Sequence, residues 1–232
     1  MTPLEIRPVP GIAEVQPGDD LAGMIVEAVN ADGWALVDRD VVVVTHKVVS
    51  KQEGRIVEIA DESTYHSLVE DEATDVIRRR GDLVIARTKH GFICANAAVD
   101  RSNIADGYAL LLPDDPDRSA HRLRTLMERA TGTSLGVVIT DTFGRPWRRG
   151  LVDVAIGVSG LPSILDLRGT TDAHGNDLNV TEVAVVDEIA AAADLVMGKA
   201  TQIPVAVVRG LDLEGTGRAT DLVRPADEDL FL

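Results

Sequence analysis

Leu135-Gly-Val-Val-Ile-Thr-Asp-Thr-Phe-Gly-Arg-Pro-Trp-Arg-Arg-Gly150 runs from an apolar segment into an acid between two hydroxyls, and then into three closely spaced arginines. Leu135 to Ile139 has the length and β-branched content of a buried strand. It would deliver Asp141, between Thr140 and Thr142, to the edge of a sheet. Gly144 and Pro146 then break the element, and Arg145, Arg148 and Arg149 crowd a short loop. A carboxylate so placed offers hard oxygen ligands to a divalent cation. Guanidinium groups grip phosphate or carboxylate in a bidentate manner. The plainer alternative is an acid that caps a turn, with arginines that solvate it. The motif alone balances the two.

Composition sets the frame. The 232 residues suffice for one large domain or two small ones, with apolar content enough for a core. The net charge of −15 argues against a protein that coats nucleic acid or an anionic membrane. It leaves room for an anionic substrate in a local basic pocket. Cys94 is the only cysteine, so no intrachain disulfide can form, in keeping with a reducing, cytoplasmic setting. No run reaches the ~18 apolar residues of a membrane span, and the N-terminus has no leader pattern.

Working outward from Asp141, Pro116-Asp117 opens a helix whose stripe is Leu123, Leu126, Met127 and Ala130, ended by Gly132. Val41 to Val44 is a continuous apolar run, expected as a central strand. It leads at once into His46, Lys47 and Lys51. The two lysines share a face if this turn is helical, a placement suited to phosphate. Asp19-Asp20 caps a helix through Leu21, Ile25, Val26 and Val29, closed by Asn30 to Gly33. Two acids at that helix start favour a base or sugar contact over a phosphate one, and an ordinary capped loop is the larger expectation. Residues 60–81 are expected to form a solvated helix with Arg78 to Arg80 in its last turn.

Leu83–Arg87 and Phe92–Ala95 flank Lys89-His-Gly91 as a hairpin, with Cys94 as inert packing. The run then ends in Asn96-Ala-Ala-Val-Asp-Arg-Ser-Asn103, a second oxygen-rich patch around Asp100. Two carboxylates at separate strand ends are what a shared Mg²⁺ or Mn²⁺ needs; two unrelated turns are the alternative. Beyond Asp141, Val154–Val158 and Ser163–Leu167 read as strands. A helix from Thr181 carries Val183, Val186, Ala190, Ala193 and Met197, with Gly198 after it. Pro204–Val208 is a last strand, and the Gly- and acid-rich tail from about 213 is expected to be mobile. No GxxxxGK[ST], GxGxxG or zinc spacing is present. These residues imply an α+β protein, with mixed and antiparallel sheets and few helices, and a metal and phosphate site at strand ends. They leave the substrate unnamed.

Several collinear segments carry a resemblance. They are Val9-Pro-Gly-Ile-Ala13, Pro17-Gly-Asp-Asp-Leu21, Lys47-Val-Val-Ser-Lys-Gln-Glu-Gly-Arg55, Asn96 to Asn103, Ile139 to Arg145, Arg148-Arg-Gly150, Ala155 to Gly160, Val185 to Ala190, and Pro204 to Gly210. In order and spacing the chain resembles the coenzyme F420-0:L-glutamate ligases, the F420 gamma-glutamyl ligases, from about residue 6 to 212. The resemblance implies one ligase domain over 1–232 with an intertwined homodimer fold. It implies GTP-dependent addition of L-glutamate to coenzyme F420-0, then γ-linked glutamates, with Mg²⁺ or Mn²⁺ and K⁺ as activators.

By position it makes Asp100, Asp141 and Thr142 metal ligands. Asp100, Asp141, Lys51 and Arg145 are the expected catalytic residues: the acids act through metal on the phosphoryl charge, and Lys51 with one or more of Arg145, Arg148 and Arg149 steadies phosphate or substrate carboxylates. It makes Ile12, Ala13, Glu14, Val15, His46, Lys47, Lys51 and Asn103 nucleotide contacts. The loop Met197, Gly198, Lys199, Ala200, Thr201, Gln202, Ile203 and Pro204 is a further nucleotide segment. There Lys199 to Gln202 stands where archaeal members have an acidic, glycine-rich stretch. In actinobacteria the ligase is commonly fused to a nitroreductase-like FMN half, and Glu228 to Leu232 falls near such a junction. A stand-alone ligase and an isolated domain both fit. A metal-dependent nucleotide phosphohydrolase and a non-catalytic nucleotide-binding dimer module are the rival readings.

Overall fold

The computed structural model describes residues 3–229. Residues 230–232, at the place where a junction is expected, lie outside them. The first half of the chain forms β1 (Glu5–Pro8), α1 (Leu21–Ala31), β2 (Val41–Thr45), α2 (His46–Gln52) and β3 (Ile56–Glu58). Then come α3 (Glu62–Glu72), β4 (Ala73–Arg80), β5 (Leu83–Thr88), β6 (Ile93–Ala95) and β7 (Tyr108–Leu110). The second half holds α4 (Pro116–Thr131), β8 (Gly136–Gly144), β9 (Leu151–Ser159), the short β10 (Leu165–Asp166) and β11 (Glu182–Val183), α5 (Val185–Met197) and β12 (Val205–Arg209).

The main sheet has the order β1-β12-β2-β8-β9. All its pairings are antiparallel except β2 with β8. Val41 to Val44 are completely buried in its middle strand, as a continuous β-branched run requires. Helices α4 and α5 pack on this sheet, and α1 packs on α4. The fold is thus the α+β class with mixed and antiparallel sheets and few helices. A buried ion pair pins one end of the sheet. Arg209, the last residue of β12, donates from Nε and Nη2 to the two Asp40 oxygens at 2.7 and 2.6 Å, just before β2.

Local chemistry sets the helix limits. Asp20 caps α1 by accepting from the Gly23 amide at 3.1 Å. Asp115 caps α4 through the Arg118 amide at 3.0 Å, with Pro116 in the first turn, and Gly132 ends it at φ 74°. A second, smaller core lies between α3 and the three-stranded sheet β4-β5-β6, around Tyr65, Val69, Val84 and Ala86.

Four expectations are corrected. The helix expected over 60–81 stops at Glu72, and 73–80 is β4, paired with β5. Thr74, Val76 and Ile77 favour the pleated sheet, and the hydrogen bonds to β5 outweigh the dipole preference of Arg78 to Arg80. Asp141 is not at a strand end: β8 continues to Gly144, with a bulge at Ile139/Thr140, and Asp141 faces Val154 of β9. The α5 helix starts at Val185, so Val183 belongs to β11 and not to the helical stripe. The tail is docked from its start: Leu213 packs on the core, and the Gly217 amide donates to the Leu161 carbonyl at 2.8 Å. Ala219 is fully buried, its amide donating to Asp117 Oδ1 at 2.8 Å.

Candidate functional site

A cleft of about 570 Å³ opens where the parallel strands β2 and β8 reach their carboxyl ends. Ile12, Ala13, Glu14 and Val15 of the first loop line one part of it. Met197, Gly198, Lys199, Gln202, Ile203 and Pro204 line another, and Asn103 closes it. Ala200 and Thr201, expected in the same loop, are not in its wall. Thr201 instead folds back, its hydroxyl donating to the Met197 carbonyl. The structure therefore brings together segments separated by nearly the whole chain.

Helix α2 supplies the cations. β2 passes into it without an intervening loop, and i, i+4 spacing sets Lys47 and Lys51 on the cleft side. Lys51 Nζ donates to Glu14 Oε1 at 2.5 Å, which ties the first loop to α2. Lys47 Nζ donates to Ser102 Oγ at 3.0 Å and forms an ion pair with Asp100. Burial holds the Lys47 ammonium below its ordinary pKa; Asp141 opposes this, while the nearby Lys199 and Lys51 charges add to the drop.

Asp100 is presented by a strained turn. Asn96, Ala97 and Ala98 have φ of 50°, 49° and 59°, the left-handed region that non-glycine residues occupy only when their surroundings enforce it. Asn96 enforces it here: its Oδ1 accepts from the Val84 amide at 2.9 Å and its Nδ2 donates to the Tyr65 hydroxyl at 3.1 Å. The Asp100 carboxylate is then fixed by the Ser102 amide at 2.7 Å and hydroxyl at 3.0 Å.

Asp141 lies beside His46, with Oδ1 3.3 Å from Nε2. Burial pushes the Asp141 carboxyl up. His46, the Thr142 amide and Lys47 outweigh burial and hold it below its ordinary value. Next to it stands a residue that the sequence reading missed. Asp153 of β9 faces Thr142 across the strand pair and is nearly fully buried. It accepts from Thr142 Oγ1 at 2.5 Å, Thr140 Oγ1 at 3.2 Å and Lys199 Nζ at 2.7 Å. Lys199 also pairs with Asp194 of α5 at 3.0 Å and with the Thr142 hydroxyl. Burial lowers the Lys199 pKa, but Asp153 and Asp194 raise it by more. The missed signal was an acid inside an otherwise apolar strand, at the register position opposite Thr142.

Some expected residues are elsewhere. His46 is fully buried under the cleft, its Nδ1 3.3 Å from Ser50 Oγ, and it supports Asp141 instead of lining the wall. Arg145 braces its own loop, donating from Nη2 to the Arg149 carbonyl at 2.9 Å, and it does not reach the cleft wall. Asp19 and Asp20 accept from the Gln16 amide at 2.7 Å and the Gly23 amide at 3.1 Å, as in an ordinary capped loop, and they line a separate, smaller pocket instead of this cleft.

Asp100, Asp141 and Thr142 offer only oxygen donors, which suits Mg²⁺ or Mn²⁺. Among the described residues no three His, Cys, Asp or Glu side chains form a ready-made metal cage. A magnesium ion that keeps water and phosphate oxygens needs only one or two carboxylates. Lys47 on Asp100 and His46 beside Asp141 mark the negative charge that such an ion would balance. Of the three donors, Thr142 lines the cleft, while Asp100 and Asp141 stand behind its wall, Asp100 paired with the wall residue Lys47 and Asp141 beside the buried His46; in donor chemistry the set fits an ion bound in that mode.

Fold and site together define an α+β protein with one cleft walled by lysines and carboxylates. Comparison with known proteins then names the group. Residues 11–210 match the family model described as F420-0:Gamma-glutamyl ligase. A protein of Methanothermobacter thermautotrophicus named coenzyme F420:L-glutamate ligase is 42% identical over 243 residues, covering 96% of each chain. Proteins of the same name from Methanopyrus kandleri and Archaeoglobus fulgidus are 41% and 39% identical, over 98% of this chain in each case. The chain belongs to the F420-0:Gamma-glutamyl ligase family.

Proposed function

We propose that this chain is a GTP-dependent ligase that joins L-glutamate to coenzyme F420-0 and then adds γ-linked glutamates, through an acyl phosphate. Family membership and the relatives' names support the ligase reading. The observation that carries the nucleotide part is the convergence of Lys47, Lys51 and Lys199 on one cleft with the 12–15 and 197–204 loops. Three ammonium groups in a chain of net charge −15 suit a polyphosphate.

The chemistry follows from the substrates. A carboxylate is a poor acyl donor because its leaving group would be oxide. Attack of a carboxylate oxygen on the γ-phosphorus breaks the bond to the β-phosphate oxygen and releases GDP. The glutamate amine then attacks the acyl carbon, phosphate leaves, and the amine proton passes to solvent. Mg²⁺ or Mn²⁺ held by Asp100, Asp141 and Thr142 would neutralise phosphoryl charge when bound. Lys47 and Lys51 balance the phosphate charge that remains. Asn103 and the 12–15 loop surround the rest of the nucleotide. K⁺ is a further activator in this reading, and the assembly is a homodimer, which light scattering would return as twice the mass of one chain.

The test uses coenzyme F420-0 carrying ¹⁸O in its acceptor carboxylate, with GTP, Mn²⁺, K⁺ and L-glutamate. One ¹⁸O should appear in phosphate for each coenzyme F420-0 converted to its first amide, while each later γ-linked addition, which activates an unlabelled glutamate carboxylate, releases unlabelled phosphate. A first amide formed with unlabelled phosphate would remove the acyl phosphate, and phosphate released without glutamate would make the protein a nucleotide phosphohydrolase.

A further inference from the structure

We propose that Lys199 is a cation built into the cleft, its ammonium filling an oxygen cage of Thr142, Asp153 and Asp194 where an inorganic ion would otherwise sit. Three independent elements build the cage: Thr142 comes from β8, Asp153 from β9 and Asp194 from α5. Lys199 reaches it from the chain just after α5, where Gly198 at φ 61° makes the turn. Its Nζ lies 2.7 Å from Asp153 Oδ1 and 3.0 Å from Asp194 Oδ1, and also contacts Thr142 Oγ1. An ammonium has three protons, and here each has an oxygen.

The same atoms would suit a metal. Two carboxylates and a hydroxyl are hard donors of the kind that Mg²⁺ and Mn²⁺ select. Asp153 is nearly fully buried, so its charge is not left to water. The cage adjoins Asp141 in sequence and shares Thr142 with the candidate metal ligands. A tethered ammonium therefore does two things. It keeps this cage closed to a metal ion, and it holds one fixed positive charge at the cleft wall without drawing on metal in solution. The second role rests on the nucleotide reading; the first does not.

The experiment counts Mn²⁺ bound to the full chain by electron paramagnetic resonance, without nucleotide. The proteins are the wild type, Lys199→Met, Lys199→Gln and Lys199→Met/Asp153→Asn, each checked for folding by circular dichroism. The Met and Gln variants should each bind one more Mn²⁺ per chain than the wild type, and the double variant should lose that ion. An unchanged count in both single variants overturns the proposal, as does an added ion that survives Asp153→Asn, since it would then sit elsewhere. GTP titration without divalent metal is the second readout. The affinity should fall roughly tenfold in Lys199→Met, the loss of one fixed positive charge at the cleft wall. A wild type that binds no GTP under any metal condition would refute the nucleotide reading while leaving the Mn²⁺ count to decide the cage.

Discussion

Asp153→Ala removes the one carboxylate that holds the two strands and the 197–204 loop together beneath the cleft. Three donors lose their acceptor: Thr142 Oγ1 at 2.5 Å, Lys199 Nζ at 2.7 Å and Thr140 Oγ1 at 3.2 Å. Deleting one partner of a buried ion pair costs about 3–5 kcal/mol. Lys199 keeps Asp194, and its side chain is 54% exposed, so water replaces part of the lost pairing. That cuts the ionic share to about 1–2 kcal/mol. Thr140 is fully buried, and its unsatisfied hydroxyl adds about 1–3 kcal/mol. The sum is about 3 kcal/mol. At roughly 2–4 °C per kcal/mol for a domain of this size, the melting midpoint falls by about 6–12 °C. Calorimetry gives the midpoint, and urea titration gives the free energy separately. Asp153→Asn keeps one acceptor oxygen and should lose roughly half as much. A fall under about 2 °C in Asp153→Ala would refute the hub role assigned to this residue.

Three further outcomes are expected. Burial, with Asp141 adding to it, pushes the Cys94 thiol up to about 12; native protein at pH 8 should not react with a disulfide reagent until denatured. Because this pKa is raised, its share of stability is full below the unfolded thiol value of about 8.5 and is lost as pH rises toward 12. Lys51→Ala frees the first loop from α2 and removes a cleft cation; GTP affinity should drop about tenfold or more while the melting midpoint moves little, as calorimetric titration and a thermal scan would show. Gly157→Ala would put a Cβ 2.4 Å from the Pro116 carbonyl oxygen where α4 meets β9. Overpacking of about 1–3 kcal/mol should lower the midpoint by several degrees.

How much could be read from the chain differs by element. The β2 run and the capped, striped α4 carry their structure locally, through burial on both faces in one case and periodicity in the other. β4 did not announce itself because its alternation is broken by bulges between Ala73/Asp75 and Val76/Arg78, so neither period fits. The lysine pair at 47 and 51 was legible because helix geometry alone sets its spacing. Asp153 and Asp194 were not: among 38 acids, only strand register and tertiary packing single them out. A lone histidine such as His46 is more often structural than catalytic, and it was the resemblance that made it a nucleotide contact beside Lys47. Successive helical positions point in different directions, however, and it turned inward to Asp141 while Lys47 faced the cleft.

The central claim is tested most directly by mass spectrometry of coenzyme F420-0 after incubation with the protein, GTP, Mn²⁺, K⁺ and L-glutamate. A product heavier by one glutamyl residue, followed by a ladder of further increments and absent without GTP, is the predicted result. Unchanged coenzyme F420-0 under conditions in which the protein is folded and binds GTP would contradict it.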